Sequence, residues 1–190
     1  MYGCIMTENI FFDRTDLKRC GHNVIIGKTV RIRYPELVSI GDNVIIDDFT
    51  YISTKLEIGN YVHIAAGCKI IGGPKSKVVM RDFSTLAPNV VLSAGSDDYR
   101  SGIAGPFVPM SLKANASIGC IEIGRHSIVG ANSTVLPNVM FHDGSSVGAQ
   151  SLVNDSLASW TLNVGVPTRC IGNRNAEEIL NYEKSFKEEL

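Results

Sequence analysis

The sequence predicts an all-β solenoid, a parallel β-helix of about 5–6 triangular coils with one long loop and a C-terminal helix. Two observations predict it. Isoleucine stands at every sixth position from Ile40 through Ile46, Ile52, Ile58 and Ile64 to Ile70, and the step resumes over Ile123, Val129, Val135, Phe141, Val147 and Val153. The residues that follow these positions are mostly small or acidic, as in Gly41, Asp47, Ser53, Gly59 and Ala65. A helical period of 3.6 cannot keep every sixth side chain on one face, whereas a strand period of 2 can. Each hexad is therefore a short strand and a turn, with its first and fifth side chains inward. Three hexads close one coil, and coils stack at about the 4.8 Å strand spacing.

Taken in order, residues 1–23 read as an N-terminal cap, with Asp13 or Thr15 placed to N-cap a short helix. The repeat opens at Ile26 and Ile32, takes two extra residues before Ile40, and runs to Ile70. Four extra residues, Gly72-Gly73-Pro74-Lys75, precede Met80, after which Leu86 and Leu92 keep the step. Leu92 and Ile123 are 31 residues apart, so a loop spans about 94–117. A long loop rich in Asp, Ser, Tyr and Pro inside a regular solenoid points to function. The coils end at about residue 158. Residues 159–190 hold Trp160, a basic stretch and a helix in which Ile179, Leu180, Tyr182 and Phe186 form a stripe, suited to capping the solenoid's open end.

Composition narrows the function. The chain has 190 residues, 44% of them hydrophobic and 19% charged, with a net charge of −1. That excludes a disordered polyelectrolyte and lacks the basic footprint of nucleic-acid binders. No apolar run reaches the roughly 18–20 residues of a membrane span, and the N-terminus does not read as a signal peptide. Cys4, Cys20, Cys68, Cys120 and Cys170 are widely spaced, without a CxxC pair, and read as free thiols in a reducing cytoplasm.

The hexads, with the stretches IGNYVHIAAGCKIIGG, SAGSDDYRSGIAGPFVP, IGRHSIVGANSTVLPNV and VGAQSLVNDSLASWTLNVGVPTRCIGNR, resemble the hexapeptide-repeat acetyltransferases of the galactoside O-acetyltransferase type. The resemblance covers nearly the whole chain. It implies a left-handed helix, a homotrimer with sites between subunits, and direct acetyl transfer from acetyl-CoA to a hydroxyl or amine of a sugar or nucleotide-linked sugar, in surface-polysaccharide biosynthesis. No metal is implied. Galactoside and maltose acetyltransferases carry a catalytic histidine at the start of the long loop; here that place holds Ser96-Asp97-Asp98-Tyr99, without histidine.

Acyl transfer from a thioester needs a base for the acceptor's proton and donors for the developing oxyanion. His63 lies between the inward Val62 and Ile64, so it points outward from a wall, one coil before the loop. It reads as the general base. Asp97 and Asp98 are candidates to orient its ring, to bind acceptor hydroxyls, or to act as base themselves. Ser96 and Tyr99 are candidates for the sugar. The resemblance places coenzyme A along the C-terminal coils, against Gly130-Ala131 and Gly148-Ala149, with Arg169 and Arg174 toward its phosphates; Arg suits that role by its fixed fork of donors. Trp160 reads as packing over the last coil. Two other readings of the same solenoid are a non-catalytic scaffold and a zinc hydro-lyase resembling γ-class carbonic anhydrases. The four histidines, separated by 41, 63 and 16 residues, do not supply the close pair that zinc site needs.

Overall fold

The computed structural model describes residues 9–189. Residues 1–8 of the expected cap, Cys4 among them, lie outside the described residues. The repeat builds a parallel β-solenoid with three walls. Along the first wall seven rungs stack in parallel: Ile25–Ile26, Ile45–Ile46, His63–Ile64, Thr85–Leu86, Ile128–Val129, Ser146–Val147 and Thr161–Val164. The second and third walls are continuous where a strand crosses the corner between them, as in Tyr51–Ile58 and Lys69–Met80.

All seventeen residues on the six-step, from Ile26 to Val153, are at most 6% exposed, and they form one core down the axis. Each aliphatic taken from water contributes roughly 1.5–3 kcal/mol. The fifth position of the hexad is buried too, as Val44, Thr50, Leu56, Val62 and Cys68 show.

There are about seven coils rather than the 5–6 expected. The difference lies at the end. In the seventh rung the inward position opposite Val147 is Asn163, 4% exposed, which breaks the aliphatic signal. The Asn163 side-chain amide donates to the Ser146 carbonyl and the Thr161 hydroxyl, so it sits in the core without an unpaired polar group.

Both ends are closed by local chemistry. A short 3-10 helix, Arg14–Asp16, is N-capped by Asp13, whose carboxylate accepts the Thr15 amide, while Asp16 accepts the Asp13 amide. At the other end, Arg169–Asn173 pairs antiparallel with Thr161–Val164, covering the exposed ladder edge. The C-terminal helix, Ala176–Glu188, therefore does not lid the open end as expected. It runs back along the corner between the third and first walls.

That corner explains its path. Tyr61, Phe83, His126 and Trp160 occupy it, each with φ near +60°. The backbone cost, about 1–2 kcal/mol for each such residue, is offset by a stack. Tyr61 and Phe83 rings lie 5.0 Å apart, Phe83 and His126 5.0 Å, and His126 and Trp160 6.2 Å. Phe186 meets Tyr61 and Phe83 edge-on, and Glu183 pairs with His126, Arg125 and Lys187.

Candidate active site

The long loop is pinched at its neck. Gly95–Ser96 and Ser117–Ile118 pair antiparallel, Gly95 opposite Ile118 and Ser96 opposite Ser117. The neck stands at the corner between the second and third walls and divides it. On the side of the N-terminal rungs lies a cavity of about 550 Å³ lined by Arg33, Tyr34, Lys75, Ser96, Asp97, Lys113 and Ser117, among others. On the side of the C-terminal rungs lies a second, of about 380 Å³, lined by Ser96 through Arg100, Asn115, Ser117, Leu136, Pro137 and Asn154. Ser96, Asp97 and Ser117 line both.

The two loop carboxylates have different surroundings. Asp98 accepts the Arg100 amide at 2.8 Å, the Ser101 hydroxyl at 2.9 Å and the Asn115 side-chain amide at 3.2 Å. The Arg100 amide first, then the Ser101 hydroxyl, hold its pKa down to about 2. It is a knot that shapes the loop. Asp97 has one side-chain partner, Lys113 at 3.2 Å, and is 43% exposed. Its carboxylate is left open to incoming groups. Tyr99 is 97% exposed, at the rim of the second cavity.

His63 stands on the first wall, paired with Asp47 rather than with either loop aspartate, Nε2 to Oδ2 2.8 Å. Asp47 sits at the corner that closes the preceding rung. With Nε2–H donating to that carboxylate, Nδ1 is the ring's proton acceptor. Within one chain His63 lines neither cavity of the loop neck. Of the other histidines, His126 is buried against Glu183 and Phe83, while His22 and His142 are exposed at corners.

The expected coenzyme residues separate in the same way. Gly130, Ala131, Gly148 and Ala149 stack at the corner between the first and second walls. A Cβ on Gly130 would meet the Ala149 amide nitrogen at 2.5 Å, so that glycine is required by the rung above it. Arg169 is exposed beside Val164 at the end of the same corner, and makes no ion pair among the described residues. Arg174 is committed elsewhere: its Nη1 donates to the carbonyls of His126 at 2.6 Å and Gly144 at 2.7 Å, tying the last coils together. Cys68 is buried, which pushes its thiol up to about 11, and Cys20, Cys120 and Cys170 are free.

Sequence reasoning missed Lys113, Asn115 and Ser117, which return to the neck from the far end of the loop, and Asp47. Only Asp47 left a signal, lying 16 residues before His63 and so about one coil away.

A model of the bacterial transferase hexapeptide family (six repeats) matches residues 38–72. The chain is 37% identical to the dTDP-4-amino-4,6-dideoxy-D-glucose acyltransferase of Escherichia coli, over 95% of this chain and 94% of that protein. It belongs to the hexapeptide-repeat sugar acyltransferases. A solved relative of this acyltransferase is AntD, an N-acyltransferase from Bacillus cereus in complex with dTDP and 3-hydroxybutyryl-CoA, similar with a TM-score of 0.88 and 36% identity over 95% of this chain and 98% of AntD. The galactoside O-acetyltransferase of Escherichia coli (strain K12) is more distant, at 25% identity over 86% of this chain and 70% of that protein. No helix of this acyltransferase among the described residues is long and apolar enough to cross a membrane.

Proposed function

We propose that this enzyme transfers an acyl group, acetyl in the simplest case, from coenzyme A to the amine or hydroxyl of a nucleotide-linked sugar, and that Asp97 takes the acceptor's proton. One observation carries the reading: Ser96, Asp97 and Ser117 line both cavities, so two substrates entering from opposite sides of the neck meet there. The acceptor lies toward the N-terminal rungs. The thioester lies toward Leu136 and Pro137, and coenzyme A extends past Gly130-Ala131 and Gly148-Ala149, with its 3′-phosphate at Arg169.

The acceptor's lone pair attacks the thioester carbonyl, and charge develops on that oxygen. The proton leaves the attacking nitrogen or oxygen for Asp97, the C–S bond breaks, and the coenzyme thiolate departs. Asp98 positions Asp97 by holding the loop. Nucleotide-linked acceptors agree with the dTDP-linked amino sugar in the name of the Escherichia coli enzyme and with the dTDP bound by AntD.

The active assembly in this reading is a cytoplasmic homotrimer serving polysaccharide biosynthesis. Ile25, Ile45 and Ile128 point outward along the first wall at about 40% exposure, and Tyr99 and Phe107 stand free on the loop at 97% and 100%. Apolar surface of this kind is covered by association. Neighbouring copies would cover it and let Tyr99 reach an acceptor in the next subunit. A second reading rests on the His63–Asp47 pair: a carboxylate-oriented imidazole on an outer wall, which a neighbouring subunit's loop would complete as the base.

The test is turnover of acetyl-CoA with a panel of nucleotide-linked 4-amino sugars and free glycosides, followed by release of the coenzyme thiol. Turnover is expected with nucleotide-linked acceptors. Turnover with free glycosides alone would refute the reading.

A further inference from the structure

Resting on that reading of Asp97 as the base, we propose that the enzyme has a second activity: with acyl-CoA bound and no acceptor in place, it acylates itself on Lys113 Nζ. Lys113 lines the cavity on the side of the N-terminal rungs, where the acceptor enters, and Asp97 lines both cavities. Lys113 Nζ lies 3.2 Å from Asp97 Oδ1. An acceptor amine must come within a hydrogen bond of the same carboxylate to hand over its proton. The chain thus carries a primary amine of its own beside the base, on the acceptor's side of the neck. The backbone holds it there. Lys113 ends the short 3-10 helix Met110–Leu112, where its N–H donates to the Met110 carbonyl at 3.1 Å. Gly102 packs so closely on it that a Cβ there would lie 2.7 Å from the Lys113 carbonyl carbon. An amine fixed in this way reacts ahead of others, because the entropy of bringing the two groups together is already lost.

The step is that of the main reaction with Nζ in the acceptor's place. The Lys113 ammonium gives one proton to Asp97, and the freed lone pair attacks the thioester carbonyl carbon. The C–S bond breaks, the coenzyme thiolate takes a second proton from the nitrogen, and the third stays on the new amide. Lysine and acyl-CoA become acyl-lysine and coenzyme A, with no further reactant. Ordinary solution chemistry would choose other amines. The Lys113 side chain is 12% exposed, against 59% for Lys187, 38% for Lys55 and 35% for Lys77. Lys75, which lines the same cavity, makes no ion pair among the described residues. Acylation removes the charge that holds Asp97 and leaves the acyl group on the acceptor's side of the neck. The enzyme therefore switches itself off when acyl-CoA is abundant and acceptor scarce, and bound acceptor protects it.

The test is a time course of the intact protein with acetyl-CoA and no acceptor, in wild type, Asp97→Asn and Lys113→Arg, read by peptide mass at each lysine and by release of the coenzyme thiol. Wild type is expected to take up one acetyl group at Lys113 at least tenfold faster than at Lys187, Lys55, Lys77 or Lys75. Asp97→Asn should slow the Lys113 adduct at least tenfold and leave the other lysines unchanged. Turnover of a nucleotide-linked 4-amino sugar should fall in step with Lys113 occupancy, the sugar added beforehand should prevent the loss, and Lys113→Arg should show no such loss. Acetylation of Lys187 ahead of Lys113, or an equal Lys113 rate in Asp97→Asn, would overturn self-acylation. A Lys113 that stays free in wild type, while Asp97→Asn still slows turnover of the sugar, would overturn it and leave Asp97 as the base. An Asp97→Asn variant that slows neither would overturn both.

Discussion

Lys113 Nζ lies 3.2 Å from Asp97 Oδ1, joining two residues sixteen positions apart across the neck of the long loop. The lysine side chain is 12% exposed and the aspartate 43%, so a nearly buried cation aims an open carboxylate at the place where both cavities meet. Removing the ammonium should loosen that aim without touching coenzyme A. Lys113→Met is expected to lower kcat about 5- to 30-fold, the equivalent of roughly 1–2 kcal/mol for a partly screened charged hydrogen bond. Steady-state kinetics with a nucleotide-linked acceptor checks it, and Lys113→Arg should keep most of the rate.

Arg169 and Arg174 should part company. Arg169→Ala is expected to weaken coenzyme A by about 1.5–3 kcal/mol while leaving dephospho-coenzyme A nearly unchanged, as a charge-assisted contact to the 3′-phosphate requires. Arg174→Ala should instead lower the melting temperature, because its guanidinium holds the His126 and Gly144 carbonyls. Equal losses for both ligands in Arg169→Ala would place the phosphate elsewhere.

Gly144 has φ +73°, and the Trp160 ring occupies the space where a Cβ would stand as it reaches across to His126. Gly144→Ala therefore meets both backbone strain and a steric clash, for a loss of roughly 2–4 kcal/mol in thermal or chemical unfolding. Combined with Trp160→Ala the loss should be less than additive, since the clash is removed.

Glu183 gives the fold an acid limit. Burial alone would raise its pKa from the ordinary 4.5, but hydrogen bonds from Lys187, Arg125 and His126 outweigh burial and hold it at about 2. A carboxylate with a depressed folded pKa contributes stability above its ordinary pKa and loses it as pH falls. The loss should run from about pH 4.5 to about pH 2 and amount to no more than about 3 kcal/mol. Trp160, the single tryptophan, stacks near this pair and reports helix undocking by fluorescence. Glu183→Gln should undock more readily near neutral pH and lose the acid transition; an unchanged titration would refute the assignment.

Much of this molecule is legible in the sequence because a six-residue step is a hard constraint: Ile40 to Ile70 cannot share one face in any helix, and all six are buried. A cap at Asp13 or Thr15 and the C-terminal helix are legible for the same local reason, a cap residue or an apolar stripe close in sequence, and the structure gives the cap to Asp13. The seventh coil was hidden by Asn163, whose inward position carries a polar group satisfied by neighbours that no pattern lists. The helix's path was hidden because it depends on Glu183 finding His126, 57 positions away. Asp97 and Asp98 look alike in sequence. They differ because loop residues Ser101 and Asn115 fold back onto one of them and Lys113 onto the other.

The central claim is that chemistry happens at Asp97, and kcat at saturating acyl-CoA and nucleotide-linked acceptor tests it most directly in Asp97→Asn and His63→Ala side by side. Asp97→Asn is expected to lower kcat by about 10²–10⁴-fold, the usual contribution of a positioned base, with coenzyme A binding unchanged, while His63→Ala keeps more than about a tenth of the wild-type rate. The reverse pattern, a near-normal Asp97→Asn and a His63→Ala reduced by about 10²-fold or more, would contradict it and move the base to the His63–Asp47 pair.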